Sequence, residues 1–305
     1  MQIRPPLFLA GPTAAGKSAL ALPLAARLGG EIISVDSMQV YRGLDIGTAK
    51  PSLEEQQRTP HHLVDIIDLD QSFNAARFVS LAGAAVKDIQ SRGRVPIFCG
   101  GTGLYFKAYL EGLGDAPPAN PQIRAQLQAI PLADLLAELE REDPATFRVM
   151  DRQNPRRVVR ALEVIRLTGR PFSEQRAPWS DAGRDARLAG ARFIGLTRPA
   201  AELTERIHQR VDEMFGRGLV AETESLLRRG LAANPTALQA LGYRQVVEHL
   251  RGERGLGETI ALVKIRTRQF AKRQLTWFRR QMNLEWVTLS TPTVEALVEK
   301  LAAGV

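Results

Sequence analysis

The chain has 305 residues, of which 44% are hydrophobic and 24% charged, the composition of an ordinary folded protein with room for one substantial core and a smaller inserted or second domain. No run approaches the roughly 18 apolar residues of a membrane span, and the lone cysteine, Cys99, excludes an intramolecular disulfide or a cysteine-based zinc cluster. Net charge is +8, and only seven of the 41 basic residues are lysine. Arginine's planar fork suits phosphate esters and stacking on bases, so composition is compatible with a polyanionic partner, and equally with a GC-rich genome or a high growth temperature, without deciding between them. The first strand follows the start so closely that no signal or transit peptide is expected, and the expected compartment is the cytoplasm.

Leu7-Phe8-Leu9-Ala10 predicts a buried strand, and Gly11-Pro12-Thr13-Ala14-Ala15-Gly16-Lys17-Ser18 follows it at once. That octet satisfies G-x-x-x-x-G-K-[ST] at every specified position, between a strand and a helix, where the motif wraps backbone N–H groups around a phosphate. Lys17 adds a point charge, and Ser18 offers a hydroxyl to a magnesium ion. The helix that begins there meets Pro23, which is expected to kink or shorten it, and Gly29-Gly30 ends it. Glu31–Asp36 predicts a second strand, so strand, loop, helix and strand imply a right-handed βαβ unit with a parallel sheet. Asp36 then falls at the carboxyl end of its strand, on the ligand-binding edge of open α/β sheets. Three roles stay open for it: a base for an acceptor facing the phosphate, a magnesium ligand, or a cap for the next turn. Ser37 and Gln39 add donors and acceptors beside it.

Further strands are expected at Leu63–Ile67, Val95–Cys99, Phe193–Leu196 and Trp286–Leu289, with a helix over Ala75–Gln90 between the first two. His61-His62 precedes one of these strands, where adjacent side chains point to opposite sides, so joint ligand duty is not expected. Gly100-Gly101-Thr102-Gly103 is a second glycine-rich turn on the same edge, either a tight connection or part of a site. Composition shifts at the hinge Gly112–Pro118. Helices are expected over Pro121–Ala129, Leu132–Arg141 and Pro155–Thr168, then a loose segment, Arg170–Gly190. The expected organisation is therefore a P-loop NTPase-like α/β core in two pieces, 1–114 and 193–305, around an all-helical insertion at 115–192.

The last third predicts helices over Ala201–Arg217, Leu219–Gly230, Thr236–Arg251 and Thr259–Arg280. In the last of these Val263, Phe270 and Trp277 share a stripe, and Arg266, Arg273 and Arg280 share another about 60° away. Residues 264–280 carry seven basic side chains and no acidic one. A solvated charged face is the simple account. Seven mutually repelling charges suit a polyanion contact better.

The octet 11–18 together with Ile33-Ser34-Val35-Asp36-Ser37-Met38-Gln39-Val40-Tyr41-Arg42-Gly43-Leu44-Asp45-Ile46-Gly47-Thr48-Ala49-Lys50-Pro51 closely resembles the tRNA dimethylallyltransferases, also called tRNA isopentenyltransferases. Gly100–Tyr105, Pro155–Glu163, Leu241–Gln245 and Lys272–Trp277 look like further blocks of that family, in family order. The resemblance implies transfer of a dimethylallyl group from dimethylallyl diphosphate to N6 of the adenosine immediately 3′ of the anticodon, with release of diphosphate. It implies that residues 11–18 hold diphosphate and not ATP, with Mg2+ near Ser18, and that Asp36, Thr13 and Arg210 are catalytic. It also implies tRNA contacts from Asp36, Ser37, Met38, Gln39, Thr102, Arg124, Arg156, Arg157, Arg160, Gln239, Gly242, Tyr243, Arg244, Lys272, Arg273, Gln274, Trp277 and Arg279. The insertion would meet the anticodon stem-loop. No membrane partner is expected, and nothing in the chemistry needs more than a monomer. A P-loop kinase acting on a small acceptor is the alternative, but it leaves the basic helix without a purpose.

Overall fold

The computed structural model describes residues 4–177, 190–289 and 294–303. Six strands form one wholly parallel sheet in the order β3-β2-β4-β1-β5-β6. In chain order these are β1 (Leu7–Ala10), β2 (Gly30–Val35), β3 (His61–His62), β4 (Val95–Gly100), β5 (Arg192–Thr197) and β6 (Glu285–Thr288). Alternation along β1 shows why the sheet is buried on both sides. Phe8 and Ala10 enter one apolar cluster with Ile33 and Phe98, while Leu7 and Leu9 enter another with Ile32 and Ile97. Phe8 stacks between Phe98 and Phe193, at ring-centroid distances of 4.6 and 4.7 Å.

Helices α1 (Lys17–Leu28), α2 (Leu53–Arg58), α3 (Ala75–Ser91) and α4 (Gly103–Glu111) alternate with the early strands. After β5 come α10 (Ala200–Gly216), α11 (Leu219–Arg228), α12 (Tyr243–Leu250), α13 (Leu256–Gln281) and, after β6, α14 (Val294–Ala302). The cluster of Leu7 and Leu9 is closed by Leu20 and Leu24 of α1 and Leu297 and Leu301 of α14. Phe78 of α3, Phe106 of α4, Val246 of α12 and Phe278 of α13 close the other face.

The second compact unit, Glu111–Gly183, comprises α5 (Pro121–Gln128), α6 (Leu132–Glu142), α7 (Pro144–Val149), α8 (Pro155–Thr168) and the helical turn α9 (Phe172–Gln175). The first unit comprises Met1–Leu110 and Arg184–Val305. Within the second unit, Leu127, Leu135, Leu139, Val158 and Leu162 make a separate small core. Its helices start where the local chemistry dictates. Asn120 caps α5 through the N–H groups of Gln122 and Ile123, Asp143 caps α7 through that of Thr146, and Pro155 opens α8. Most of the loose segment expected over Arg170–Gly190, residues 178–189, lies outside the described residues.

Three expectations are corrected. The strand expected at Leu63–Ile67 is displaced to His61–His62, because Leu63 (φ 64°) and Asp65 (φ 55°) are left-handed and break the extended run. Those residues pair instead with the preceding loop: Asp65 N–H donates to Gln39 O, Ile66 and Ile67 N–H to Val40 O, and Lys50 binds the Asp65 carboxylate at 2.5 Å. The helix expected over Thr236–Arg251 is split into a 3-10 turn, Ala237–Gln239, and α12, because buried Gly242 adopts φ 91° between them. Pro23 does not shorten α1, which continues to Leu28 with Pro23 on its exposed face and Gly29 as a left-handed cap.

Candidate active site

Because all strands run the same way, the loops after β1, β2, β4 and β5 emerge on one edge. The loops after β1, β2 and β4 border a cleft of about 1120 Å³ that α10, α12 and α13 complete. Of the residues singled out in the sequence, Thr13, Ala14, Gly16, Lys17, Ser18, Asp36, Ser37, Met38, Gln39, Thr102, Arg210, Gln239, Arg244, Arg273 and Gln274 line it. Arg266 and Phe270 of the two stripes on the last helix line it as well, and the tertiary fold adds Arg206. Gly11, Pro12 and Ala15 are buried behind the loop and shape it without facing the cleft.

The phosphate-type loop is braced from outside by cations and one amide. Lys17 Nζ donates to the carbonyls of Gly11 (3.0 Å) and Pro12 (2.8 Å). Arg206 Nε donates to Ala14 O (3.1 Å), Arg198 Nε to Ala15 O (3.0 Å), and Thr13 N–H to Gln274 Oε1 (2.8 Å). With these carbonyls held, the unpaired N–H groups at the start of α1 form an anion-attracting end. Arg198, the first charged residue after β5, escaped the sequence reading; its place just past a parallel strand is the signal that could have found it.

Burial pushes the Lys17 ammonium down from 10.5 to about 8; neighbouring Cys99 and Asp36 pull it up, and Arg210 pushes it further down. Burial likewise lowers Arg210, against the pull of Asp36 and Glu213, with Arg206 pushing the same way as burial. Burial raises the Cys99 thiol to about 11, keeping it neutral beside Lys17. Lys17, Arg210 and Asp36 thus feel one another inside a single site. Desolvated cations of this kind wait for an anion.

Asp36 does cap a turn: its Oδ1 accepts from Met38 N–H (2.8 Å) and Gln39 N–H (3.2 Å). That bond pattern uses one carboxylate oxygen and fixes the plane of the group. Next to it Thr102 Oγ1 accepts Ser37 N–H (3.2 Å), so the second glycine-rich turn is tied to the Asp36 loop.

Several residues expected to touch RNA have other partners. Gln39 accepts from Ser34 Oγ and donates to Thr48 O and Ala49 O, which makes it a brace for its own loop. Tyr243 is 0% exposed; its hydroxyl accepts Gly47 N–H and donates to Glu222, the arrangement of an internal strut. Gly242, also buried, serves the break before α12. Lys272 and Trp277 line a separate groove of about 520 Å³ along α13 with Arg273 and Arg280, and the Arg279 guanidinium lies 5.6 Å from the Trp286 ring centroid. In the second unit, Arg124 and Arg160 both pair at 2.8 Å with Glu163, which is 0% exposed, while Arg156 and Arg157 lie on the exposed side of α8.

A parallel sheet whose first loop has the phosphate-binding form, with a carboxylate lining the same cleft, is the architecture of a P-loop-type protein. A family model described as IPP transferase matches residues 39–281. The tRNA dimethylallyltransferase 1 of Trichlorobacter lovleyi is 47% identical over 97% of this chain and 97% of its own length. The tRNA dimethylallyltransferase of Thermomicrobium roseum is 43% identical over 95% of this chain and 88% of its own. Among solved structures, the tRNA isopentenylpyrophosphate transferase of Bacillus halodurans superposes with a TM-score of 0.70 at 38% identity, covering 99% of this chain and 97% of that one. A eukaryotic dimethylallyltransferase described as acting on tRNA gives a TM-score of 0.80 at 27% identity, covering 98% and 77%. The chain belongs to the tRNA dimethylallyltransferase family, and these relatives do not favour the kinase alternative.

Proposed function

We propose that the protein prenylates tRNA by moving a dimethylallyl group from dimethylallyl diphosphate to N6 of the adenosine immediately 3′ of the anticodon. The observation that carries this reading is the placement of Asp36 with Lys17 and Arg210 on one cleft, a carboxylate opposite two desolvated cations. Lys17, Arg210 and the N–H groups at the start of α1 bind the diphosphate, and Thr13 hydrogen-bonds the oxygen bridging it to the allyl carbon. N6 attacks the allylic C1 as the C1–O bond breaks, and the electron pair of that bond leaves on the diphosphate. The N6 proton passes to Asp36, whose Oδ1 is held by the turn so that Oδ2 is the accepting oxygen. The adenine amine is a weak nucleophile because its lone pair is delocalised into the ring, so a base removing its proton contributes roughly 10²–10⁴-fold. Positive groups already aimed at the leaving oxygens stabilise the charge where it develops.

Mg2+ fits the donor set. Ser18 is an exposed hydroxyl at the loop's end, and no cluster of three His, Cys, Asp or Glu is found among the described residues. That suits an ion which takes one or two protein oxygens and completes its shell with water and substrate phosphate. Held there by Ser18, it would supply charge neutralisation on the diphosphate.

The adenosine must leave its stack to enter the cleft, at a cost of a few kcal/mol, less in a loop than in a duplex. Gln239, Arg244, Arg266 and Arg273 would hold the RNA at the rim, with Arg156 and Arg157 of the insertion on the anticodon arm. A monomer acting in the cytoplasm suffices for this chemistry. Among the described residues no helix is long and apolar enough to cross a membrane.

The deciding assay incubates the protein with magnesium, unmodified tRNA carrying adenosine 3′ of the anticodon, and labelled dimethylallyl diphosphate, in parallel with labelled ATP. Label is expected on the RNA from the allylic donor alone. Transfer from ATP and none from the allylic donor would overturn the proposal.

A further inference from the structure

Family resemblance places Gln274 among RNA-contacting residues, yet its side chain is only 8% exposed and both ends of its carboxamide are engaged. Oε1 accepts Thr13 N–H at 2.8 Å, and Nε2 donates to Gly101 O at 2.9 Å. One planar amide therefore bridges the loop after β1 and the loop after β4. The fit is close: a Cβ on Gly101 would stand 2.3 Å from Gln274 Nε2, so the glycine is what lets the amide approach. Gly101 immediately precedes Thr102, which is tied to Ser37, the neighbour of Asp36. The chain of bonds thus runs from Thr13 on the diphosphate side, through Gln274, to Asp36 on the adenosine side. Gln274 itself projects from α13 one residue after Arg273, which faces the same cleft.

We propose that Gln274 is a positioning residue that sets the separation between the donor loop and the acceptor loop, so that the attacking nitrogen and the allylic carbon meet at reacting distance. The proposal rests on the prenyl-transfer reading above. In this role Gln274 need touch neither substrate. It acts through Thr13 and through Gly101–Thr102. Small misplacements of two reactants cost rate far more than they cost binding of either one alone, since a displacement near 1 Å can lower turnover by about 10²-fold.

The test compares wild type with Gln274→Met, which keeps approximate length and removes both hydrogen bonds, and Gln274→Glu, which keeps the acceptor and loses the donor. Affinities for inorganic diphosphate alone and for an unmodified anticodon stem-loop alone are measured by calorimetry, and transfer by single-turnover kinetics. For Gln274→Met, single-turnover rate is expected to fall about 10–100-fold with each binary affinity within about threefold. For Gln274→Glu, the rate relative to wild type is expected to rise as pH falls, because a protonated carboxyl again offers one donor and one acceptor. A merely structural role predicts no such pH dependence of the ratio.

A folded Gln274→Met protein turning over within about twofold of wild type, or losing both binary affinities together, would overturn the proposal. If that variant fails to fold, the pH ratio of Gln274→Glu decides. Failure of both to fold assigns Gln274 to the fold alone, against the proposal. A wild-type protein that binds diphosphate yet transfers no allyl group would instead sink the functional reading, whatever Gln274 does.

Discussion

The Asp36 carboxylate caps a turn, one of the three roles the sequence left open, and the cap is compatible with the base role proposed above. One oxygen is committed to the N–H groups of Met38 and Gln39, and the turn so formed aims the carboxylate. Asp36→Asn preserves the Oδ1 acceptor and hence the turn, while removing the base. Single-turnover transfer should fall roughly 10²–10⁴-fold, with RNA affinity within a few-fold by filter binding. A collapse of RNA affinity would make Asp36 a binding group. Lys17 carries a pH signature with a definite sign. Its folded pKa of about 8 lies below the ordinary 10.5, so between those values the unfolded chain holds more protons and the lysine's contribution to stability rises with pH. A bound diphosphate restores the charged form. Binding measured by calorimetry in buffers of different ionisation enthalpy should therefore show proton uptake at pH 8, and affinity should weaken above it. No buffer dependence at pH 8 would contradict a desolvated Lys17 at the diphosphate.

At the scale of elements, the loop 44–50 is held by side chains far along the chain. Tyr243 reaches Gly47 N–H from α12, and Glu222 of α11 accepts Ile46 N–H and the Tyr243 hydroxyl proton. Tyr243→Phe takes the partner from the half-buried Gly47 N–H and should cost about 0.5–1.5 kcal/mol in urea unfolding, with RNA affinity unchanged. A loss of RNA affinity at undiminished stability would restore Tyr243 to the RNA surface. Elements were legible where their pattern was local. The bounds of α8 match the expected Pro155–Thr168 because Pro155, an apolar stripe and Gly169 all lie within the segment. Helix α4 was not expected: Tyr105, Phe106, Lys107, Ala108 and Leu110 are all buried, so no polar face marks its period. The strand expected at Leu63–Ile67 failed for the opposite reason. Its apolar run is real, but Lys50 and the 38–40 backbone bend it away from the sheet.

Over the whole molecule, the parallel sheet unites the loops of the site, while the insertion carries its own core. Glu163 is the keystone of that second unit, binding Asn120 N–H, Arg124 and Arg160. Burial raises its carboxyl, but the hydrogen bonds from Arg160, Arg124 and Asn120 outweigh this and hold it below its ordinary 4.5. Its contribution is thus complete above that value and lost as pH falls through the lowered one. Glu163→Gln leaves two part-exposed guanidinium groups against a neutral partner and should destabilise the unit by about 1–3 kcal/mol. Hydrogen exchange should show the loss confined to amides of α5 and α8. Uniform loss across the sheet as well would show that the two units unfold together.

The octet 11–18 by itself determined that a loop of the anion-binding type stands at the first strand's end, because a glycine-rich turn between strand and helix is a local backbone property. The runs around Asp36 and Lys272–Trp277 were enough to suggest the family. Only the tertiary structure decided which side chains work in the cleft and which hold it open. Gln274 lies 261 residues from Thr13, and Arg198 lies 183 residues from Ala15. No spacing rule joins such partners. They meet because a parallel sheet brings strand ends from distant parts of the chain to one edge and α13 lies against that edge, where packing sorts like residues into unlike duties.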